Sequence, residues 1–142
     1  MQNIVLLMCG NNKEKYKTKA KNLYKSSRFQ KSLQYAKILT KENNIFILSA
    51  KHGLLELEME IEPYDKSIYD MSIIEKNEWA KKVISQLRKK VNIENDKFIL
   101  LADDFYGEYL LEYLPHVELP LSGLDQSEHL FWFNKMLNKK EG

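Results

Sequence analysis

Four short segments typical of strands alternate with segments of helical periodicity, and this alternation limits the folds open to the chain. The strand segments are residues 4–8, 45–48, 98–101 and 116–119. The first three are continuously apolar, which is typical of strands covered on both faces of a parallel sheet. We therefore expect an α/β fold, a three-layer αβα sandwich around a mainly parallel sheet of about four strands.

Apolar residues at helical spacing separate these strands, and the helix starts carry capping residues. Ser26 or Ser27 can cap the first helix, and Ser72 with Glu75 forms a capping box at the second. The expected helical segments are residues 26–42, 72–90, 106–114 and 126–138. The segments expected to be mostly loop are residues 11–22 and 49–71.

Length and charge are those of an ordinary globular domain. The 142 residues fit a single domain, residues 1–142, and 22 basic against 20 acidic residues give a net charge of only +2. Bulk charge therefore does not indicate a nucleic-acid binder. Residues 13–41, however, hold ten Lys or Arg residues against Glu14 alone. This segment either attracts phosphates or is a solvated lysine-rich surface.

Several classes of protein lose support from what the sequence lacks. The single Cys9 excludes an internal disulfide and a multi-cysteine zinc site. We expect no metal and no cofactor. We also expect no membrane partner, because no apolar run approaches the ~20 residues of a membrane helix. The amino terminus lacks the basic start of a signal peptide, so a cytoplasmic location is expected. Motifs for dinucleotides, P-loop nucleotides, zinc proteases and esterases are absent. No pattern indicates an oligomeric state.

Polar residues follow every predicted strand. In an open parallel sheet, ligands bind outside the carboxyl ends of the strands, so these residues should meet at one edge. The first exit carries Cys9 and Gly10, the second Ser49, Lys51, His52 and Gly53, the third Asp103 and Asp104, and the fourth Pro120, Ser122 and Gly123.

The second exit has the densest set of candidate ligand-binding groups. Small Ser49 and the turn at Gly53 let backbone N–H groups approach a ligand closely. Lys51 can hold a phosphate or carboxylate, and His52 can transfer protons near neutral pH. Alternatively, Gly53 serves only the turn and Lys51 is solvated.

A proline-stiffened acidic segment follows at residues 62–65. Pro63 restricts Glu62 to an extended conformation. Glu62 and Asp65 can supply a general base or a partner for a ribose hydroxyl, and Tyr64 can stack on a base. The alternative is an ordinary proline turn with exposed acids.

The first and third exits each allow two interpretations. Cys9 is either a nucleophile or a small buried hydrophobe, and Gly10 can offer backbone contacts to a ligand. Asp103 and Asp104 can bind a metal or a hydroxyl, or cap the following helix. His129 has no neighbour at metal-ligand spacing and is interpreted as structural.

These motifs together resemble an uncharacterised family of small bacterial and phage proteins. That family carries a Ser-Ala-Lys-(Tyr/His)-Gly-Leu-Leu signature, matched here by residues 49–55, and a Pro-Tyr-Asp, matched by residues 63–65. Cys9-Gly10 with Lys13 resembles its opening, and residues 120–124 resemble its closing Pro-Leu-x-Gly-Leu. A more distant similarity is to a uracil-DNA glycosylase-like domain, as in archaeosine synthase. Here the Glu62-Pro63-Tyr64 echo of the glycosylase motif follows the second strand instead of the first.

The resemblance implies an enzyme that acts on a nucleobase, nucleotide or nucleic acid, with N-glycosidic bond chemistry as the specific expectation. Glu62 or Asp65 would position water or stabilise an oxocarbenium-like charge. Lys51 would hold phosphate, His52 would assist the leaving base and Tyr64 would stack. The alternative is a non-catalytic module that binds a nucleotide or nucleic acid through the same residues.

Overall fold

The computed structural model describes residues 1–10 and 12–141. Asn11, the first residue of the predicted loop 11–22, and Gly142 lie outside the described residues. The strands are β1 Asn3–Met8, β2 Thr18–Lys19, β3 Ile45–Ser49, β4 Gly53–Glu56, β5 Glu60–Ile61, β6 Lys97–Leu101 and β7 Val117–Glu118. The helices are α1 Ala20–Leu23, α2 Ser27–Leu39, α3 Ile73–Arg88, α4 Asp104–Gly107 and α5 Gln126–Glu141, with 3-10 turns at Glu42–Asn44, Ile68–Asp70 and Leu111–Tyr113.

A mostly parallel sheet of five strands forms the centre, in the order β4-β3-β1-β6-β7. β1 pairs in parallel with β3 and β6, and β6 pairs in parallel with β7. The mixed α/β class and the four predicted strands are thus confirmed. β1 owes its central position to five consecutive buried residues, 4–8, which only a strand with a neighbour on each side and both faces covered can bury.

The fifth strand, β4, corrects the expectation that residues 49–71 are mostly loop. β4 pairs antiparallel with β3, with Ser49 opposite Gly53. The chain reverses over so few residues because Gly53 adopts φ +76°, a conformation that residues with a Cβ rarely reach. β5 also lies in this segment and pairs with β2 of the other predicted loop.

The helix starts follow their capping residues closely. Ser26 caps α2 by accepting from Phe29 N, and Ser72 with Glu75 completes the predicted capping box of α3. The helix expected over residues 106–114 is instead the short α4 followed by a 3-10 turn. α2 packs on β1 and on α5, and α3 packs on β4.

The described helices include none with both the length and the apolar character needed to cross a bilayer.

Candidate functional site

The carboxyl ends of β1, β3 and β6 meet at one edge of the sheet, which we call the rim. β1 leads into Cys9, β3 ends at Ser49, and β6 leads into Asp103. Because the three strands are parallel and adjacent, the residues that follow them lie side by side. The rim therefore brings three of the predicted strand exits together.

We call the residues around the end of β3 the first half of the rim, and Ser49 makes the central contacts there. It is fully buried, and its hydroxyl donates to the Tyr64 hydroxyl at 2.7 Å and accepts from His52 N at 3.1 Å. Its carbonyl accepts from the indole N–H of Trp79 at 2.8 Å. Tyr24 and Tyr64 share a further hydroxyl–hydroxyl bond of 2.6 Å. Ser49 thus fixes both the turn at His52 and the position of Tyr64.

The Tyr64 ring forms an aromatic wall beside Ser49. The Lys13 ammonium lies 4.7 Å from its ring centroid, and the His52 ring meets it edge-on at 5.4 Å. Burial raises the pKa of Tyr64, and the thiol of Cys9 adds to the shift. The phenol therefore stays protonated and remains a hydrogen-bond donor at neutral pH.

His52 is held as a neutral imidazole. Burial lowers its pKa, and the positive charges of Lys51 and Lys82 lower it further. Its Nε2 is buried and has no hydrogen-bond partner among the described residues. Lys51 itself is exposed.

Gly53 and Gln86 lock the turn between β3 and β4. Gln86 Oε1 accepts from Leu54 N at 2.8 Å, and Gln86 Nε2 donates to the carbonyl of His52 at 3.1 Å. A Cβ on Gly53 would lie 2.4 Å from Gln86 Oε1. Gly53 is therefore required both for its positive φ and for space.

Arg28 and Cys9 connect the two halves of the rim. Arg28 Nη2 donates to the carbonyl of Cys9 at 3.2 Å, whereas Nη1 is buried without a partner among the described residues. The buried thiol of Cys9 lies 3.3 Å from the Tyr106 hydroxyl. Gly10 adjoins this group, because a Cβ there would lie 3.8 Å from Arg28 Nη2.

We call the residues around the end of β6 the second half of the rim, and Asp103 makes the central contacts there. One carboxylate oxygen caps α4 by accepting from Phe105 N at 3.0 Å, and the other accepts from the Tyr69 hydroxyl. Gln126 Nε2 donates to that hydroxyl at 2.8 Å, which ties the start of α5 to the rim. Capping is thus the observed interaction of Asp103, and the exposed Asp104 accepts from Gly123 N at 3.1 Å.

His129 of α5 is fully buried at the side of this second half. Its Nε2 lies 3.2 Å from the carbonyl of Leu124, and its Nδ1 has no partner in the described part of the chain. Burial lowers its pKa, and the charge of Arg28 lowers it further.

The structure places Glu62 and Asp65 away from these bonds. Both side chains are exposed, and no side-chain hydrogen bond or ion pair joins either to another residue in the ranges 1–10 and 12–139. They flank Tyr64 in sequence, which keeps them near the first half of the rim. Within the same ranges, no group of three His, Cys, Asp or Glu side chains is arranged to hold a metal ion.

Four residues of the rim were not singled out as site residues from the sequence: Arg28, Tyr69, Tyr106 and His129. Arg28 had one available signal, since it is the one arginine in a segment of lysines. Arginine suits buried and bidentate contacts better than lysine does. The other three lie on a loop and two helices that only the tertiary fold brings to the rim.

Comparison with protein families gives one match. The model of a family described as Family of unknown function (DUF6884) matches residues 4–135, nearly the whole chain. Neither the curated proteins nor the solved structures provide a match.

Proposed function

The chain belongs to this family of unknown function, and we propose its function from the rim: an enzyme acting on a nucleobase, nucleotide or nucleic acid, with N-glycosidic bond chemistry as its reaction. One observation carries the proposal. Three buried side-chain nitrogens of the described residues lack a partner, those of Arg28, His52 and His129, and they come from three separate segments. A buried polar group left unpaired costs about 1–3 kcal/mol, so each of these nitrogens favours a ligand that pairs it.

The aromatic and cationic groups of the first half suit a nucleotide. The Tyr64 ring offers a face for a base, and Lys13 beside it offers positive charge for a phosphate. Exposed Lys51 and the basic segment at residues 13–41 add to that charge. These features support a substrate that combines a planar ring with phosphate.

His52 is the side chain best suited to proton transfer. It is neutral, it sits against Tyr64, and its Nε2 is not engaged by any described residue. A neutral imidazole can relay a proton to or from a departing base. Its backbone N–H is fixed by Ser49, so the ring starts from a defined position.

The carboxylates for such a reaction are Glu62 and Asp65. Cleavage of a glycosidic bond needs a negative charge near the oxocarbenium-like centre and a base for water. Both acids flank Tyr64, so a nucleobase stacked on the Tyr64 ring would bring its attached sugar towards these two carboxylates. Both carboxylates are exposed.

That same exposure favours the second candidate, a non-catalytic module that binds a nucleotide or nucleic acid. Catalysis depends on groups held in place before the reaction, and neither carboxylate has a partner to hold it among the described residues. The unpaired nitrogens and basic residues serve binding equally well. The two candidates differ in whether the carboxylates matter.

The test is to incubate the protein with modified and unmodified DNA, tRNA and nucleosides, and to measure released base by mass spectrometry. Base release that is lost in the Glu62→Gln, Asp65→Asn double variant supports the enzyme. A matched control replaces two exposed acids elsewhere, Glu78→Gln with Glu94→Gln, and should retain release.

Absence of released base would reject the enzyme. The binding module then requires saturable binding that weakens on Lys51→Ala, falls steeply with salt and survives the double carboxylate variant. A protein that neither releases base nor binds any of these molecules would refute both candidates.

We also propose a layer arrangement and a cellular location. The helices are proposed to form outer layers on both faces of the sheet, giving the three-layer αβα sandwich. The protein is proposed to act in the cytoplasm, where nucleotides and nucleic acids are available.

A further inference from the structure

Two of the unpaired nitrogens lie on neighbouring helices in the second half of the rim. Arg28 is on α2 and His129 on α5, and these two helices pack against each other. The charges of Arg28 and Asp103 both act on His129, and Asp103 also acts on Arg28. Gln126, at the start of α5, donates to the Tyr69 hydroxyl, which bonds to Asp103, so hydrogen bonds join this end of α5 to Asp103. We call Arg28, Asp103 and His129 the cluster.

The hydrogen-bonding roles of the two nitrogens are opposite. The carbonyl of Leu124 can only accept, so His129 Nε2 must carry the hydrogen and donate to it. In the neutral ring Nδ1 then has a bare lone pair and is an acceptor. Arg28 Nη1 always carries hydrogens and is a donor. The cluster thus presents one buried donor and one buried acceptor, both unpaired.

We propose that Arg28 and His129 recognise an uncharged donor–acceptor edge of the ligand, of the amide or lactam kind that nucleobases carry, and that they do not recognise its phosphate. The inference rests on the proposed function and names which part of the substrate each half of the rim takes. A lactam carbonyl accepts from Arg28 Nη1, and the adjacent N–H donates to His129 Nδ1. Both buried groups are then paired by one planar group.

An anion fits this cluster poorly. Phosphate and carboxylate oxygens are acceptors, so they would leave the lone pair of His129 Nδ1 unpaired and facing negative charge. The charge of the Asp103 carboxylate acts on Arg28 and would repel an anion placed beside it. Phosphate is better served by Lys13 and Lys51 in the first half of the rim, where the described carboxylates are exposed.

Tyr69 lies at the edge of the cluster. Its hydroxyl bridges Asp103 and Gln126, and its ring packs edge-on against Phe105 and Tyr106. The 3-10 turn that carries Tyr69 lies in the loop between β5 and α3. Tyr69 therefore borders the cluster on the side of Asp103 and Gln126.

The experiment measures binding of three kinds of probe by calorimetry: neutral lactams (uracil and 2-pyridone), nucleosides with their 5′-monophosphates, and anions without a base (inorganic phosphate and ribose 5-phosphate). The test variants are Arg28→Met and His129→Phe, which keep bulk but remove the donor and the acceptor. The matched controls, Arg88→Met and His116→Phe, lie at exposed positions.

Each test variant is expected to weaken lactam and nucleoside binding about tenfold or more, the loss of one buried hydrogen bond. The affinity ratio of monophosphate to nucleoside should stay unchanged, because phosphate binds elsewhere. His129→Gln, which retains an acceptor, should recover part of the loss. The controls should bind as wild type. If Arg28→Met does not fold by circular dichroism, Arg28→Lys serves as the donor variant, because it retains the charge without the planar fork.

Two outcomes overturn the inference alone. In the first, wild-type protein binds nucleosides and both test variants bind them equally well. That result would mean that ordered water, and not the ligand, pairs the two nitrogens. In the second, the variants lose affinity for phosphate and ribose 5-phosphate but not for lactams, so that the cluster is an anion site. Failure of the proposed function looks different, because wild-type protein then binds no nucleoside, nucleotide or nucleic acid, whereas 2-pyridone still reports on the cluster.

Discussion

Replacing Gly53 with alanine should destabilise the protein more than the same change at Gly123. Both glycines have positive φ, +76° and +81°, so both alanines carry a backbone strain of about 1–2 kcal/mol. Only the Gly53 variant also meets an obstacle, since its Cβ would lie 2.4 Å from Gln86 Oε1, whereas nothing lies within 4 Å at Gly123.

The obstacle adds a cost that can be worked from the bonds it breaks. Gln86 must move, which removes the acceptor of Leu54 N and the donor to the carbonyl of His52. Losing these two bonds at a partly buried turn costs about 1–3 kcal/mol. We therefore expect a total loss of about 2–5 kcal/mol for Gly53→Ala, against about 1–2 kcal/mol for Gly123→Ala.

Urea unfolding followed by tryptophan fluorescence measures both losses, because Trp79 is buried beside the rim. A Gln86→Ala background separates the two terms. In that background Gly53→Ala should cost no more than Gly123→Ala, since the colliding side chain is gone. Equal losses for the two glycines in the wild-type background would refute the assigned role of Gln86.

Three further predictions concern the polar groups of the rim. Trp79→Phe should cost about 1–3 kcal/mol in urea unfolding, because it leaves the Ser49 carbonyl unpaired, and more than Trp132→Phe, whose indole N–H bonds to no other described residue. Ser49→Ala should leave the Tyr64 hydroxyl with one partner fewer and raise the KM or Kd for any nucleotide ligand. The change in the free energy of binding should exceed the change in the free energy of unfolding. Burial lowers the pKa of His129, so the unfolded chain binds its proton first. The free energy of unfolding should therefore fall as pH drops below about 6.5, by at most ~1.4 kcal/mol per pH unit for this histidine. The slope should shrink in His129→Gln and persist in His116→Gln. An unchanged slope in both would contradict the assignment.

Three of the four strands that the sequence predicts are almost completely buried. β1, β3 and β6 consist mostly of continuous apolar runs. Such a run predicts a strand covered on both faces without any information about the rest of the chain. β4 escapes such reasoning, because only four residues form it and its pairing depends on the conformation of Gly53. Short strands of this kind are set by tertiary contacts and leave little periodicity to detect.

The candidate site divides in the same way. The rule that ligands bind at strand ends leads directly to Ser49 and Asp103, because it uses only strand order. Arg28 and His129 come from the sides of two helices, and their meeting depends on how α2 packs against α5. Hydrogen-bond partners are likewise tertiary, so the buried, unpaired state of their nitrogens has no counterpart in the sequence.

The most direct measurement is base release from nucleic acids and nucleosides by wild-type protein and by the Glu62→Gln, Asp65→Asn double variant. We expect a free base from at least one substrate class for wild type and for the Glu78→Gln, Glu94→Gln control, and none for the double variant. Equal release from all three proteins would contradict the catalytic role of these carboxylates. No release and no binding by wild type would contradict the assignment of the rim as a nucleotide site.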